Sequence, residues 1–229
     1  MQDMCVLDLY IPEGVEDFPT LAWFHGGGLT GGERYIPEEL MDAGIAVVAV
    51  EYRLLPDCEF NDCIDDAAAA VAWTFREISK YGGDVDRIYV SGHSAGGYLT
   101  NMIGFDKKWL EKYGVDADQI AGLLPVSGHA ICHFSYRKGL GIKNTQAMVD
   151  ETAPLFHVRP DAAPVVLISG DRELEMLGRY EEQAYFWRML KVAGHEHAHL
   201  YELEGFNHGE VVHPAFHIIK KYISGKLKF

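Results

Sequence analysis

The chain has 229 residues, 48% of them hydrophobic and 24% charged, which suits one large α/β domain able to bury a core without disulfide staples. Its 34 acidic and 20 basic side chains give a formal net charge of -14, which opposes nucleic acid and anionic membrane surfaces, where cationic contacts supply the affinity. Cys5, Cys58, Cys63 and Cys132 are too few and too scattered for a disulfide framework, although Cys58 and Cys63 are spaced to pair in an oxidising compartment. "MQDMCVLDLY" has no basic head before an apolar run, and no apolar stretch reaches membrane-spanning length, so the expectation is a cytoplasmic protein. A chain trimmed of an export signal would read the same way.

In chain order, "CVLDLYI" (5–11) and "TLAWFHG" (20–26) read as strands, the second running into a glycine series. "IAVVAVEY" (45–52) is a third strand. "CIDDAAAAVAWTFREISKYG" (63–82) follows as a helix with acids at its start and Gly82 at its end, as the helix dipole and a glycine C-cap favour. "RIYVSG" (87–92), "IAGLLPVSG" (120–128) and "PVVLISG" (164–170) are further strands. A second long helix, "EMLGRYEEQAYFWRMLKVAG" (175–194), ends at Gly194, and "AHLYELEG" (198–205) is the last strand. Several strands are apolar at consecutive positions, as strands covered on both faces should be. This alternation predicts a mostly parallel sheet of about seven strands with helices on both faces, and an active site at the carboxyl ends of the strands. Residues 129–159 exceed an ordinary connection and are expected to lie over that site as a cap-like insertion.

Strand 87–92 runs directly into Gly92-His93-Ser94-Ala95-Gly96 and then a helical pattern. This is G-x-S-x-G in the strand-turn-helix context that gives the motif its meaning. Tight crowding requires flanking residues without side chains, and the serine oxygen projects above the sheet at a helix N-terminus. A nucleotide-binding turn fits poorly, because "GHSAGG" lacks both G-x-G-x-x-G spacing and a Walker lysine. Serine also needs a base and a place for negative oxygen. "WFHGGG" offers the latter: the N–H groups of Gly27 and Gly28, with that of Ala95, are the candidate oxyanion hole.

With these residues the chain resembles the α/β-hydrolase superfamily, in particular esterases and lipases with an H-G-G-G oxyanion motif. "LDLYIP" is similar to that family's opening strand, "VEYRLLPD" to its D-Y-R-L-A-P-E segment, and "GHSAGG" to its G-D-S-A-G-G elbow with His93 replacing the acid. The resemblance spans nearly the whole sequence. It implies the α/β-hydrolase fold without the family's first strand, no cofactor, and triad members in the order serine, acid, histidine. The acid should follow strand 164–170, where Asp171, Glu173 and Glu175 are available. The family's G-x-x-D pattern, counted from Gly170, points to Glu173; the commoner residue type points to Asp171, the alternative. The histidine should follow the last strand, and "GFNHG" supplies His208.

His195, Glu196 and His199 match the zinc pattern H-E-x-x-H letter for letter. That pattern binds metal only on one helix, where i and i+4 share a face. Here Gly194 ends a helix and a strand follows, so no metal site is expected. The expected function is hydrolysis of small carboxylic esters through an acyl-enzyme. "APLFHVRPDAAPVVLISGDRE" resembles a segment of compact carbohydrate esterases and arylformamidases. It implies acetyl or feruloyl esters of carbohydrates as substrates, with formamide cleavage as the alternative. A hydrolase-fold binding protein without catalysis is the reading from another class. The partner expected is a small-molecule substrate.

Overall fold

Along "TLAWF", Leu21 and Trp23 join one apolar cluster while Ala22 and Phe24 join another, and all four are buried. That period of two, repeated in neighbouring strands, makes a sheet with a core on each face. The computed structural model describes residues 5–176 and 178–227. Its strands are β1 (Leu7–Tyr10), β2 (Phe18–Phe24), β3 (Ala46–Val50), β4 (Gly83–His93), β5 (Gly122–Val126), β6 (Val165–Gly170) and β7 (Ala198–Leu203). They form one seven-stranded sheet in the order β1-β3-β2-β4-β5-β6-β7. Only β1 runs antiparallel to its neighbour.

The helices are α1 (Phe60–Glu77), α2 (Ala95–Phe105), α3 (Lys108–Glu111), α4 (Phe134–Gly139), α5 (Arg179–Ala193) and α6 (Val212–Ile223). Ile64 and Val71 of α1, Leu99 and Ile103 of α2, and Phe186 and Leu190 of α5 fill the core that includes Ala22 and Phe24. Ala215, Phe216 and Ile219 of α6 cover the opposite face with Leu21 and Trp23. The sheet and its two covered faces are those the sequence predicts, and all seven strands fall where expected. No described helix is long and apolar enough to cross a membrane.

Two helix starts differ from expectation. α1 begins at Phe60, not Cys63, because Glu59 and Asp62 form a reciprocal capping box that satisfies two N-terminal N–H groups. α5 begins at Arg179, not residue 175; Leu177, inside the expected stretch, lies outside the described residues. Gly82 and Gly194 close their helical segments in the left-handed conformation, as the sequence indicates.

From β2 the chain places β3 on one side and β4 on the other, so the strand order reverses there. Ligands of open α/β sheets bind at such a point, outside the carboxyl ends. The loops leaving β2, β4, β6 and β7 carry the sequence-predicted site residues to that end.

Residues 129–159 contain α4 and a short 3-10 helix, Pro154–His157. Much of the rest is held by buried Arg137, which donates to the carbonyls of Cys132 (3.0 Å), Asn144 (3.0 Å) and Gln146 (2.6 Å). Cys58 and Cys63 are thiols, 3.7 Å apart at sulfur.

Candidate active site

Crowding explains the serine turn. A Cβ on Gly96 would lie 2.1 Å from the Phe24 carbonyl oxygen, and one on Gly92 would lie 2.5 Å from the Gly96 backbone. Between them Ser94 takes φ 56 and ψ -111, a conformation that costs about 1–3 kcal/mol and persists only where its surroundings enforce it. The enforcement is local: Ser94 N–H donates to the Val126 carbonyl (2.8 Å), and Tyr98 N–H donates to the Ser94 carbonyl (3.0 Å). Gly96→Ala should therefore lower stability by about 3 kcal/mol or more. Thermal denaturation would check this, and an unchanged melting temperature would show that the elbow has room to spare.

Ser94 is 7% exposed, and its hydroxyl donates to Nε2 of His208 at 2.8 Å. The other ring nitrogen, Nδ1, lies 2.7 Å from Oε2 of Glu175. A carboxylate only accepts, so the His208 proton sits on Nδ1 and Nε2 is free to take the serine proton. His93 holds the arrangement from behind, its Nε2–H donating to the His208 carbonyl at 2.7 Å. Burial and the neighbouring His208 push His93 down to about 4, so it is a neutral donor near pH 7.

The carboxylate facing His208 is neither Glu173 nor Asp171, which corrects the sequence expectation. Asp171 is engaged in the turn: Oδ1 accepts from Glu173 N–H (2.9 Å) and Oδ2 from Gly205 N–H (2.8 Å). Glu175 N–H reaches back to the Asp171 carbonyl at 2.8 Å. The loop thus makes one extra turn beyond Gly170, which leaves Glu173 exposed and brings Glu175 inward. An aspartate whose carboxylate takes the N–H two residues on is a turn-capping pattern. An aspartate directly after the strand is the only sequence feature that could have pointed to a later acid, and it does not say by how many residues.

The Glu175 side chain is 0% exposed and collects four donors. Oε1 accepts from the Ser127 hydroxyl and Gly170 N–H (3.2 Å); Oε2 accepts from His208 and Met176 N–H (3.0 Å). Burial pushes this carboxyl up, but the bonds from His208 and Ser127 outweigh burial and hold it down, from an ordinary 4.5 to about 2. Between those values the folded state binds fewer protons than the unfolded one. The stability Glu175 supplies is therefore complete above pH 4.5 and lost as pH falls through about 2. The gap in urea midpoint between wild type and Glu175→Gln should narrow from pH 6 to pH 3; a constant gap would contradict an ionised Glu175.

The glycine loop after β2 lies beside the serine. A Cβ on Gly26 would stand 3.4 Å from the Ser94 Cβ. Gly27 and Gly28 have φ 116 and 67, open to residues without a side chain. No group among the described residues accepts from the N–H of Gly27, Gly28 or Ala95. Preceding His25 is buried and stacks on Tyr52, with ring centroids 4.3 Å apart. The Ser135 hydroxyl donates to the Gly28 carbonyl at 2.5 Å, and a Cβ on Gly28 would meet the Phe134 ring at 2.8 Å.

Phe134 lines two cavities. One, of about 650 Å³, has walls that include Leu55, Pro56, Phe60, Tyr136 and Leu140. The other, of about 730 Å³, has walls that include Arg137, Asn144, Thr145, Met176 and Glu181. The H-E-x-x-H residues lie elsewhere. His195 is buried, with Nε2 3.1 Å and 3.3 Å from the carbonyls of Ala162 and Ala163 and Nδ1 accepting from His197 N–H. Glu196 is exposed in the turn, and His199 is on β7. Among the described residues no group of three or more His, Cys, Asp or Glu is placed to hold a metal ion.

A family model described as BD-FAE matches residues 7–134. A probable isoprenylcysteine alpha-carbonyl methylesterase, ICMEL1 of Oryza sativa subsp. japonica, is 36% identical over 178 residues, 69% of this chain and 42% of that protein. The carboxylesterase NlhH of Mycobacterium tuberculosis is 38% identical over 101 residues, 42% of this chain and 32% of that protein. The chain thus spans less than half the length of these two relatives. Among solved structures, propionate-bound Est2, a thermophilic esterase of Thermogutta terrifontis, superimposes with a TM-score of 0.77 at 20% identity, covering 96% of this chain and 89% of that one. That likeness shows the α/β-hydrolase fold.

Proposed function

The chain belongs to the BD-FAE family, and from that premise we propose that it is a serine hydrolase cleaving small carboxylic esters through an acyl-enzyme. The observation that carries this reading is the unbroken line from Ser94 Oγ through His208 to Glu175, at 2.8 and 2.7 Å. His208 Nε2 takes the Ser94 proton as Oγ bonds to the ester carbon, and Glu175 stays ionised to hold the imidazolium. The carbonyl oxygen becomes O⁻ and is received by the N–H groups of Gly27, Gly28 and Ala95. Collapse breaks the ester C–O bond, and the departing alkoxide takes the proton from Nε2. Water, deprotonated by the same nitrogen, then attacks the acyl carbon; the Oγ–C bond breaks, Oγ recovers the proton from Nε2, and the acid leaves.

In this reading the two halves of the substrate divide between the two cavities that α4 walls. A leaving alkoxide must reach His208 Nε2, so the alcohol half lies on that side. The larger cavity, with polar Asn144 and Thr145 in its wall, is taken as the one that receives it. The acyl half enters the apolar cavity of Leu55, Phe60 and Tyr136, large enough for an aromatic acid as well as acetate. Residues 129–159 serve as the cap, since α4 walls both cavities. Feruloyl and acetyl esters of polar alcohols fit this division. The methylesterase and carboxylesterase names of the relatives support esters over amides.

A panel of p-nitrophenyl acetate, methyl ferulate and an aryl formamide, run with and without chelator, tests the reading. Both esters should turn over faster than the formamide, with rates unchanged by chelator. A preference for the formamide would move the chain to amide chemistry, and chelator-sensitive activity would require a metal.

A further inference from the structure

Behind the triad acid lies a second buried chain of polar groups. Arg179, at the first turn of α5, is 1% exposed. Its Nη1 donates to the Ser127 carbonyl, and its Nη2 lies 2.7 Å from His129 Nε2. Guanidinium can only donate, so His129 Nε2 must be the acceptor and its proton must sit on Nδ1. Nδ1–H then donates to Oε2 of Glu182 at 2.9 Å, where Ala130 N–H also donates at 3.2 Å. Burial and the Arg179 charge push His129 well down, which agrees with a neutral ring in this role.

Ser127 joins this chain to the triad. Its carbonyl takes Arg179, and its hydroxyl donates to Oε1 of Glu175. It sits immediately after β5 with φ 48, a left-handed conformation rarely taken by a non-glycine residue. Its N–H donates to the Ile168 carbonyl at 2.7 Å. The residue is thus fixed at three points, and its hydroxyl direction is set by a backbone that Arg179 restrains.

We propose that Arg179, braced by Glu182 through His129, is a positioning residue that acts through Ser127 to hold the Glu175 carboxylate against His208. Buried positive charge beside a buried carboxylate also favours the ionised form that orients the imidazole. Glu182, His129 and Arg179 all line the larger cavity. The brace therefore touches the chamber assigned to the alcohol half of the substrate.

This inference rests on the triad reading, and one set of p-nitrophenyl acetate measurements separates the two. An inactive wild type would overturn the triad reading itself. With an active wild type, Arg179→Met should lower kcat on the order of 10- to 100-fold, more than it changes KM, short of the loss from removing the acid. Arg179→Lys keeps the charge and one donor for the Ser127 carbonyl, so it should recover most of that loss. Ser127→Ala leaves no buried charge unpaired and covers the case in which Arg179→Met does not fold; it should lower kcat about tenfold at unchanged KM. Wild-type kcat in Ser127→Ala or Arg179→Met would overturn the inference. So would equal kcat losses in the Lys and Met variants, because the proposed role works through the charge and the Ser127 carbonyl contact that lysine keeps.

Discussion

Ser94→Ala is expected to lower kcat for p-nitrophenyl acetate by about 10⁴- to 10⁶-fold, with the fold intact. The size follows from the reaction: without Oγ there is no acyl-enzyme, and only the glycine hole and binding contribute. The intact fold follows from the contacts. Ser94 is held by its backbone, through Val126 and Tyr98. Among the described residues its side chain bonds only to His208, whose ring is 20% exposed and open to water. Alanine adopts φ 56 with the same Cβ that serine has, so the turn gains no new clash. The melting temperature should stay within a few degrees of wild type, measured beside kcat. Substantial residual turnover would show that Ser94 is not the nucleophile.

The second large effect is expected at Glu175. Glu175→Gln should lower kcat by about 10⁴-fold, whereas Glu173→Gln should stay within about twofold. The reason lies in the four donors around the carboxylate. An amide must turn its NH₂ toward one pair of them. Turned toward Gly170 and Ser127, it faces a backbone N–H that cannot reverse. Turned toward His208, it forces the ring proton onto Nε2, and the base can no longer accept from Ser94. Asp171→Asn disturbs a turn rather than the imidazole, so its loss should appear as about 1 kcal/mol of stability. Parallel kinetics and denaturation of the three variants check this order. A larger kcat loss at Glu173 or Asp171 than at Glu175 would transfer the role.

That contrast also marks how far the sequence could be read. The sheet was legible because its strands carry consecutive apolar residues and end at glycine turns, and the serine elbow because crowding admits only glycine at positions 92 and 96. His208 was legible by its order in the chain, after the elbow and the last strand. The acid was not, because spacing after β6 depends on whether Asp171 caps a turn, which adds residues without changing the pattern. Ser127, His129 and Arg179 were invisible for a different reason. Each looks like an ordinary loop or helix residue, and their relation exists only where the loop after β5 meets the start of α5. Sequence periodicity reports which face is buried; it carries nothing about which buried polar groups meet.

In this mechanism Ser94 Oγ, activated by His208 and Glu175, is the atom that attacks. Treating the protein with a fluorophosphonate and mapping the adduct by peptide mass spectrometry identifies the nucleophile. One adduct is expected, on the peptide containing Ser94, and none in His208→Gln over the same exposure. No adduct in the wild type, or an adduct on another residue, would contradict this mechanism.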